Sequence, residues 1–274
     1  MKRHFFRLMA FMAAAAIVLA SCEKTSTDET ESGLKDDTEQ NGDNPGGNTG
    51  GTNPGTTPGA DYSASLNGSA YVPILVDAVS AAKIQNKVIT NLSVDDQAIF
   101  LYVWENTYLG GEPDGLSFYG TLEKWTSLIV GTVGWSGAGW CISDKAEVNP
   151  NFKPVPGFLT SMDEAKDWYF HFGYKNIRNI PQLMTVIWGG MEYKFAYGAD
   201  YNEYNESGAF VKTHKAIAPT SGAFQIGVWN EYEINLLDMG IDFTKETIGN
   251  YLVVNTEPTS GNTLDLDAVF FYKK

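Results

Sequence analysis

The chain has little cysteine, little histidine and too few bases for its acids. Only Cys22 and Cys141 occur in 274 residues, with three histidines. No Cys/His cluster has zinc-site spacing, and a dense disulfide framework is excluded. Lys and Arg number 19 against 33 Asp and Glu, for a net charge of −14. A polyanion-binding surface needs the opposite balance, so nucleic acid is excluded as a partner class. Anionic lipid headgroups repel the same charge, so a lipid anchor makes more physical sense than a basic membrane patch. No apolar run reaches the roughly 20 residues that span a bilayer as a helix. Phosphate-cradling loops are missing too. "GLSFYGT" and "GTVGWSGAG" lack the Lys-Ser/Thr pair or the βαβ setting such loops need.

What is present begins with an address. Lys2, Arg3 and Arg7 precede the apolar run "LMAFMAAAAIVLA", followed by Ser21-Cys22. This is the layout of a secretory signal peptide over residues 1–21. "LASC", residues 19–22, resembles a bacterial lipobox. The resemblance implies cleavage before Cys22, acylation of its thiol, and a lipid anchor on a membrane. Cys141 then has no disulfide partner and reads as a small buried hydrophobe. Residues 22–60 are acidic, then rich in Gly, Asn, Thr and Pro, with hardly any large apolar side chain. Such a segment forms no core and serves as a flexible tether. Its cluster "DETE" (Asp28 to Glu31) resembles the export signals of surface-exposed lipoproteins in glycan-degrading gut bacteria. An ordinary solvated linker has the same composition. The leader contributes three positive charges and residues 22–60 a net −6, leaving −11 on residues 61–274.

Residues 61–274 fit one large β domain. "DAVSAAKIQNKVI" (Asp77 to Ile89) has no Gly or Pro and places Asp77 at a capping position, which predicts a helix. A second short helix is expected at "SMDEAKDW". Most of the remainder alternates as strands between turn residues. "IFLYVWE" puts Ile99, Leu101 and Val103 on one face and Phe100, Tyr102 and Trp104 on the other. "WYFHFGY" groups Trp168, Phe170, Phe172 and Tyr174, and "EYKFAYG" groups Tyr193, Phe195 and Tyr197. "FQIGVWNEYEINL" sets Phe224, Ile226 and Val228 opposite Gln225 and Trp229, and "LDLDAVFFY" is the last strand. The pattern predicts a mainly β fold, an antiparallel sandwich.

"VGTVGWSGAGWC" sets Trp135 and Trp140 around Ser136-Gly137-Ala138-Gly139. If those four residues form a loop, the two tryptophans face each other across a hairpin. As a cross-strand pair they stabilise a sheet by roughly 0.2–1 kcal/mol. Alternatively they form a flat apolar platform for the CH face of a sugar ring. A catalytic turn is the weakest option. "GWSGA" has Ala138 where a nucleophile elbow has glycine, and neither His171 nor His214 sits in a motif. Glu231 and Glu233 share a strand face beside Trp229, their Cα atoms about 6.5–7 Å apart. A glycosidase needs its acids flanking the bond, whereas one strand offers both from one side. Asp265 and Asp267 alternate onto the face of Val269 and Phe271 in an apolar strand. A carboxylate there needs a partner. Ca²⁺ and a hydrogen-bonding loop are equally suitable.

Three stretches carry a family resemblance. "IFLYVWENTY", "EKWTSLIVGTVGWSGAGWC" and "LDLDAVFFYK" resemble anchored lipoproteins of polysaccharide-utilisation systems. The C-terminal domains of that family have the galactose-binding-like jelly roll of many carbohydrate-binding modules. The resemblance implies noncatalytic binding of a polysaccharide or oligosaccharide at the outer surface of an outer membrane. It also implies outer-membrane glycan-import proteins as partners, and Asp267 as part of a structural Ca²⁺ site. A glycoside hydrolase and a structural or adhesin-like protein are the rivals. The candidate ligand-binding residues are Trp229 and Trp104 first, with Gln225 and Tyr102 beside them, then Trp135, Trp140 and Glu231.

Overall fold

The computed structural model describes residues 62–93, 99–104, 107–109, 114–131, 136–142, 154–257 and 259–274. The leader, Cys22, the 22–60 segment and Trp135 lie outside the described residues. Among the described residues no helix is long and apolar enough to cross a membrane.

The domain is mainly antiparallel β, a two-sheet sandwich of jelly-roll type with one short helix near its start. In chain order the strands are β1 (Ala70–Leu75), β2 (Ile99–Val103), β3 (Thr107–Leu109), β4 (Asp114–Leu116) and β5 (Leu122–Lys124). Then come β6 (Thr126–Val130), β7 (Gly137–Ile142), β8 (Trp168–Lys175), β9 (Pro181–Trp188) and β10 (Met191–Gly198). The last are β11 (Tyr201–Tyr204), β12 (Phe210–His214), β13 (Asn230–Asn235), β14 (Asn250–Thr256) and β15 (Thr263–Lys273). One sheet runs β13-β8-β15-β6-β3, with β1 also paired to β15. The other runs β10-β9-β14-β7-β2. β11 with β12, and β4 with β5, form separate hairpins.

Alternation builds the space between the sheets. Phe170, Phe172 and Tyr174 of β8 meet Trp140 of β7, Met184 and Val186 of β9, and Val254 of β14 in one buried cluster. Ile99, Leu101 and Val103 of β2 pack against the same cluster, as the sequence pattern requires. The helix is shorter than expected. Its α-helical part is Ala78–Ile84, followed by a 3-10 turn, and Asp77 holds the N-cap position without a side-chain capping bond. "SMDEAKDW" forms a 3-10 helix, Met162–Asp167.

Three expectations change. First, Ser136 to Gly139 is not a hairpin loop. Gly137, Ala138 and Gly139 lie inside β7, and β6 and β7 belong to different sheets. Second, the alternation of "FQIGVW" is not a strand. The chain turns at Ile226-Gly227, where the Gly227 N–H reaches the Asn176 carbonyl, and β13 starts only at Asn230. Third, Asp265 and Asp267 do not share a face with Val269 and Phe271. The register of β15 against β8 shifts between Asp267 and Phe270, and Ala268 stands at φ 53°. This extra residue reverses the parity of the strand. Leu264, Leu266, Val269 and Phe271 fill the main core. Ala268, Phe270 and Tyr272 face a second cluster with Leu66, Tyr71, Phe118, Trp125 and Trp229. The six-stranded sheet is therefore covered on both faces, which is why β15 reads as a nearly continuous apolar run.

Candidate functional site

The outer face of the five-stranded sheet carries the arrangement best suited to a ligand. β2 is an edge strand, and its outward side chains are Phe100 and Tyr102, continued by Trp104 just past the strand. All three rings are half-buried. Their neighbour is β7, which turns Ala138, Trp140 and Ile142 inward and leaves Gly137 and Gly139 on the outer side. The glycines are the seat of the rings. A Cβ on Gly139 would stand 2.6 Å from the Tyr102 ring, and one on Gly137 2.6 Å from the Trp104 ring. Tyr102 and Trp104 thus lie across the bare backbone of β7. This answers why four small residues precede Trp140: two of them receive aromatic rings from the next strand.

The row is regular. Centroids are 6.4 Å apart from Phe100 to Tyr102 and 6.3 Å from Tyr102 to Trp104. Burial pushes the Tyr102 phenol up to about 12, against hydrogen bonds to Trp104 and Asn250 that lower it. The register continues across the sheet from Tyr102 through Gly139, Val253 and Thr185 to Lys194. Lys194 is held by Glu203 of β11, which also accepts from His214 of β12.

The other candidate residues lie elsewhere. Trp229 is enclosed, with no exposed surface, and donates its indole N–H to the Leu116 carbonyl at 3.2 Å. Trp140 is 3 % exposed and faces the main core. Neither indole offers a free face, so both are packing residues and not ligand platforms. Gln225 is exposed in the turn before β13, and its backbone N–H donates to Asn230 Oδ1. Phe100, absent from the expected site, completes the row because strand alternation aligns it with Tyr102.

Glu231 and Glu233 do share one face of β13, but each is committed. Glu231 faces His171 Nε2 at 3.2 Å and accepts from Thr220 Oγ1 at 2.8 Å. Glu233 accepts from the Tyr272 hydroxyl at 2.9 Å and pairs with Lys274. These contacts hold a sheet together and do not aim two acids at one bond. Burial alone would raise the Glu231 carboxyl, yet the hydrogen bond and charge of His171 hold it below its ordinary 4.5. A depressed carboxyl stabilises the fold above its unfolded pKa, and the contribution is lost as pH falls through the folded value. Glu231→Gln is therefore expected to flatten the acid limb of the stability curve below about pH 4.5. Melting temperature against pH checks this, and an unchanged slope would show that the pair is uncoupled from folding.

Asp267 serves the bulge. Its Oδ2 accepts the Phe118 N–H at 3.0 Å and its Oδ1 the Ala268 N–H at 2.6 Å. The Ala268 carbonyl in turn accepts from His171 Nδ1 at 2.8 Å. The bulge frees two backbone groups from the ladder, and two buried side chains satisfy them. Burial pushes the Asp267 carboxyl well above the usual range. Among the described residues no three Asp, Glu, His or Cys side chains gather as a metal site requires. With both oxygens already serving peptide donors, these residues do not fit a Ca²⁺ cage, and the hydrogen-bonded alternative describes them.

No protein-family model matches the chain, and no curated protein sequence does. Among solved structures it is similar to a family 29 carbohydrate-binding module, at 12 % identity and a TM-score of 0.33, covering 74 % of this chain and 91 % of that one. It is also similar to a family 11 carbohydrate-binding module from Clostridium thermocellum in complex with a β-1,3-1,4-mixed-linked tetrasaccharide. There the identity is 12 % and the TM-score 0.31, with coverage of 64 % and 88 %. An exo-β-agarase matches at 9 % identity and a TM-score of 0.35, over 66 % of this chain and 24 % of that one.

Proposed function

We propose that this domain binds an extracellular glycan without cleaving it, using Phe100, Tyr102 and Trp104 as its platform. The row of three half-buried rings, two of them seated on bare glycine backbone, carries the reading. Sugar rings have an apolar CH face that an aromatic ring satisfies, and Asn250 beside Tyr102 supplies hydrogen bonding. A noncatalytic role is supported by Glu231 and Glu233, which are spent on structural partners. In affinity electrophoresis through glycan-containing gels, Trp104→Ala is expected to lose retention. A ring of hot-spot quality costs about 2 kcal/mol when truncated, roughly 30-fold in affinity. The melting temperature should change little, because the ring is partly solvated. If retention persists in alanine variants at both Trp104 and Tyr102, the platform is elsewhere or absent.

The same reading places the domain on a cell-surface lipoprotein of the outer membrane, close to glycan-import proteins. "LASC" and the 22–60 tether support it. A domain of net charge −11 has no electrostatic attraction to a membrane, so an acyl anchor at Cys22 supplies the attachment. Cys22→Ala is expected to move the protein from the membrane fraction to the soluble one. Unchanged fractionation would remove the anchor from this account.

A further inference from the structure

Beside the second cluster, on the far face of the six-stranded sheet, two side chains are placed to react with each other. We propose that Lys175 and Asp265 condense to an amide bond, a covalent brace between β8 and β15. The two residues are direct cross-strand partners in the antiparallel β8–β15 ladder. Both point away from the main core, because Phe170, Phe172 and Tyr174 on one strand and Leu264 and Leu266 on the other fill it. Directly opposed residues on one face have Cβ atoms about 4.5–5.5 Å apart. A lysine stem is long enough to carry its amine over the neighbouring carboxyl group.

Each partner is held. Lys175 Nζ stands 4.1 Å from the ring centroid of Trp125 and 4.7 Å from that of Trp229. The two indoles meet edge-to-face at 5.6 Å, and both are buried. On the other side of β15, Ser127 of β6 is the register partner of Asp265 and donates its hydroxyl to Asp265 Oδ1 at 2.6 Å. The carboxyl group is thus fixed between an amine and a hydroxyl donor. A donor on that oxygen stabilises the negative charge that develops there as an amine adds to the carbon.

In water such a pair is an ammonium and a carboxylate, which attract but do not react. Condensation needs the amine neutral and the carboxyl protonated, and the site moves both groups that way. Burial lowers the Lys175 amine from its ordinary 10.5, against the charges of Asp265 and Asp267, which raise it. Burial raises the Asp265 carboxyl from its ordinary 3.8, against Ser127, Lys175 and Trp125, which lower it. Nζ then adds to Cγ and the C–N bond forms. The Cγ–Oδ2 bond breaks, and Oδ2 leaves as water with the acid's own proton and one proton from the nitrogen. The step oxidises and reduces nothing.

The bond falls where the fold has use for it. Cys141 is the one cysteine in residues 61–274, so no disulfide braces them. The β8–β15 register shifts between Asp267 and Phe270, just beyond the pair. A covalent tie at Asp265 keeps the ladder from slipping at the bulge, where a slip of one residue turns every later side chain to the wrong face.

The test is a peptide map of the full chain, denatured, digested with trypsin and read by tandem mass spectrometry. Unbridged protein gives separate peptides 167–175 and 246–273. An acylated Lys175 is not cut, so the expected product is 167–178 joined to 246–273, at the mass of their sum less one water. Fragment ions should place the bond at Lys175 and Asp265. Lys175→Arg keeps a cation between the indoles and should lose the bridged species completely, as should Asp265→Ala. Wild type that yields only the separate peptides overturns the proposal and leaves the pair as an ionic contact. A bond from Lys175 to any other carboxyl group, or a bridged species that survives in either variant, overturns it as well.

Discussion

Trp229→Ala is expected to destabilise the domain by roughly 3–5 kcal/mol, the range for deleting a large buried aromatic side chain. Its ring meets Trp125 edge-to-face at 5.6 Å and Phe118 at 6.1 Å. The Lys175 ammonium stands 4.7 Å from its centroid, and its carbonyl accepts the Tyr62 hydroxyl at 2.8 Å. Removing the indole would leave a void under the segment that covers the six-stranded sheet. It would also orphan the Leu116 carbonyl that the indole N–H serves. Urea denaturation measures the loss. A cost below about 1 kcal/mol would return Trp229 to the list of ligand platforms, since a core site cannot be emptied so cheaply. Glycan retention by the folded fraction should match wild type.

The second large effect is expected at the glycine seat. A Cβ at position 137 would stand 2.3 Å from the Val254 carbonyl oxygen as well as against the Trp104 ring. The carbonyl belongs to the central strand of the sheet and cannot move aside. Gly137→Ala should therefore cost at least the roughly 1–3 kcal/mol of an overpacked site, and displace Trp104 so that glycan retention falls too. At position 139 the obstruction is the far end of Tyr102 alone, which swings away on its own side chain. Gly139→Ala should lose binding with much less loss of stability. Thermal melts and affinity electrophoresis on the two variants separate seat from scaffold. Equal stability losses would show that the rings do not rest on the glycines as described.

The two proposals differ in how far the sequence supports them. The alternation of "IFLYV" alone places Phe100 and Tyr102 opposite the aliphatics, and the structure agrees. Trp104 follows from the same count. The seat was not legible, because Gly-Ala-Gly between tryptophans looks like a turn when only local chemistry is weighed. Its pairing with β2 and β14 is a long-range fact. Trp229 was misplaced for a related reason. Alternation tells which side chains share a face, but not whether a second layer covers that face. Here the layer comes from residues 62–84 and the 117–121 turn, distant in sequence. Asp267 fell on the wrong side because one bulged residue, Ala268, has no sequence signature. Alanine is not a residue expected at φ 53°.

The position of β15 has a consequence for how the domain is made. Residues 263–273 lie between partners drawn from residues 70–75, 126–130 and 168–175. A ribosome delivers those three partners first, and they wait without the strand that bonds to all of them. Until it arrives, their edges and the apolar faces of both clusters remain open to other chains. Chains truncated before residue 263 should therefore keep these edges open and aggregate, because the strand that bonds to all three partners is missing.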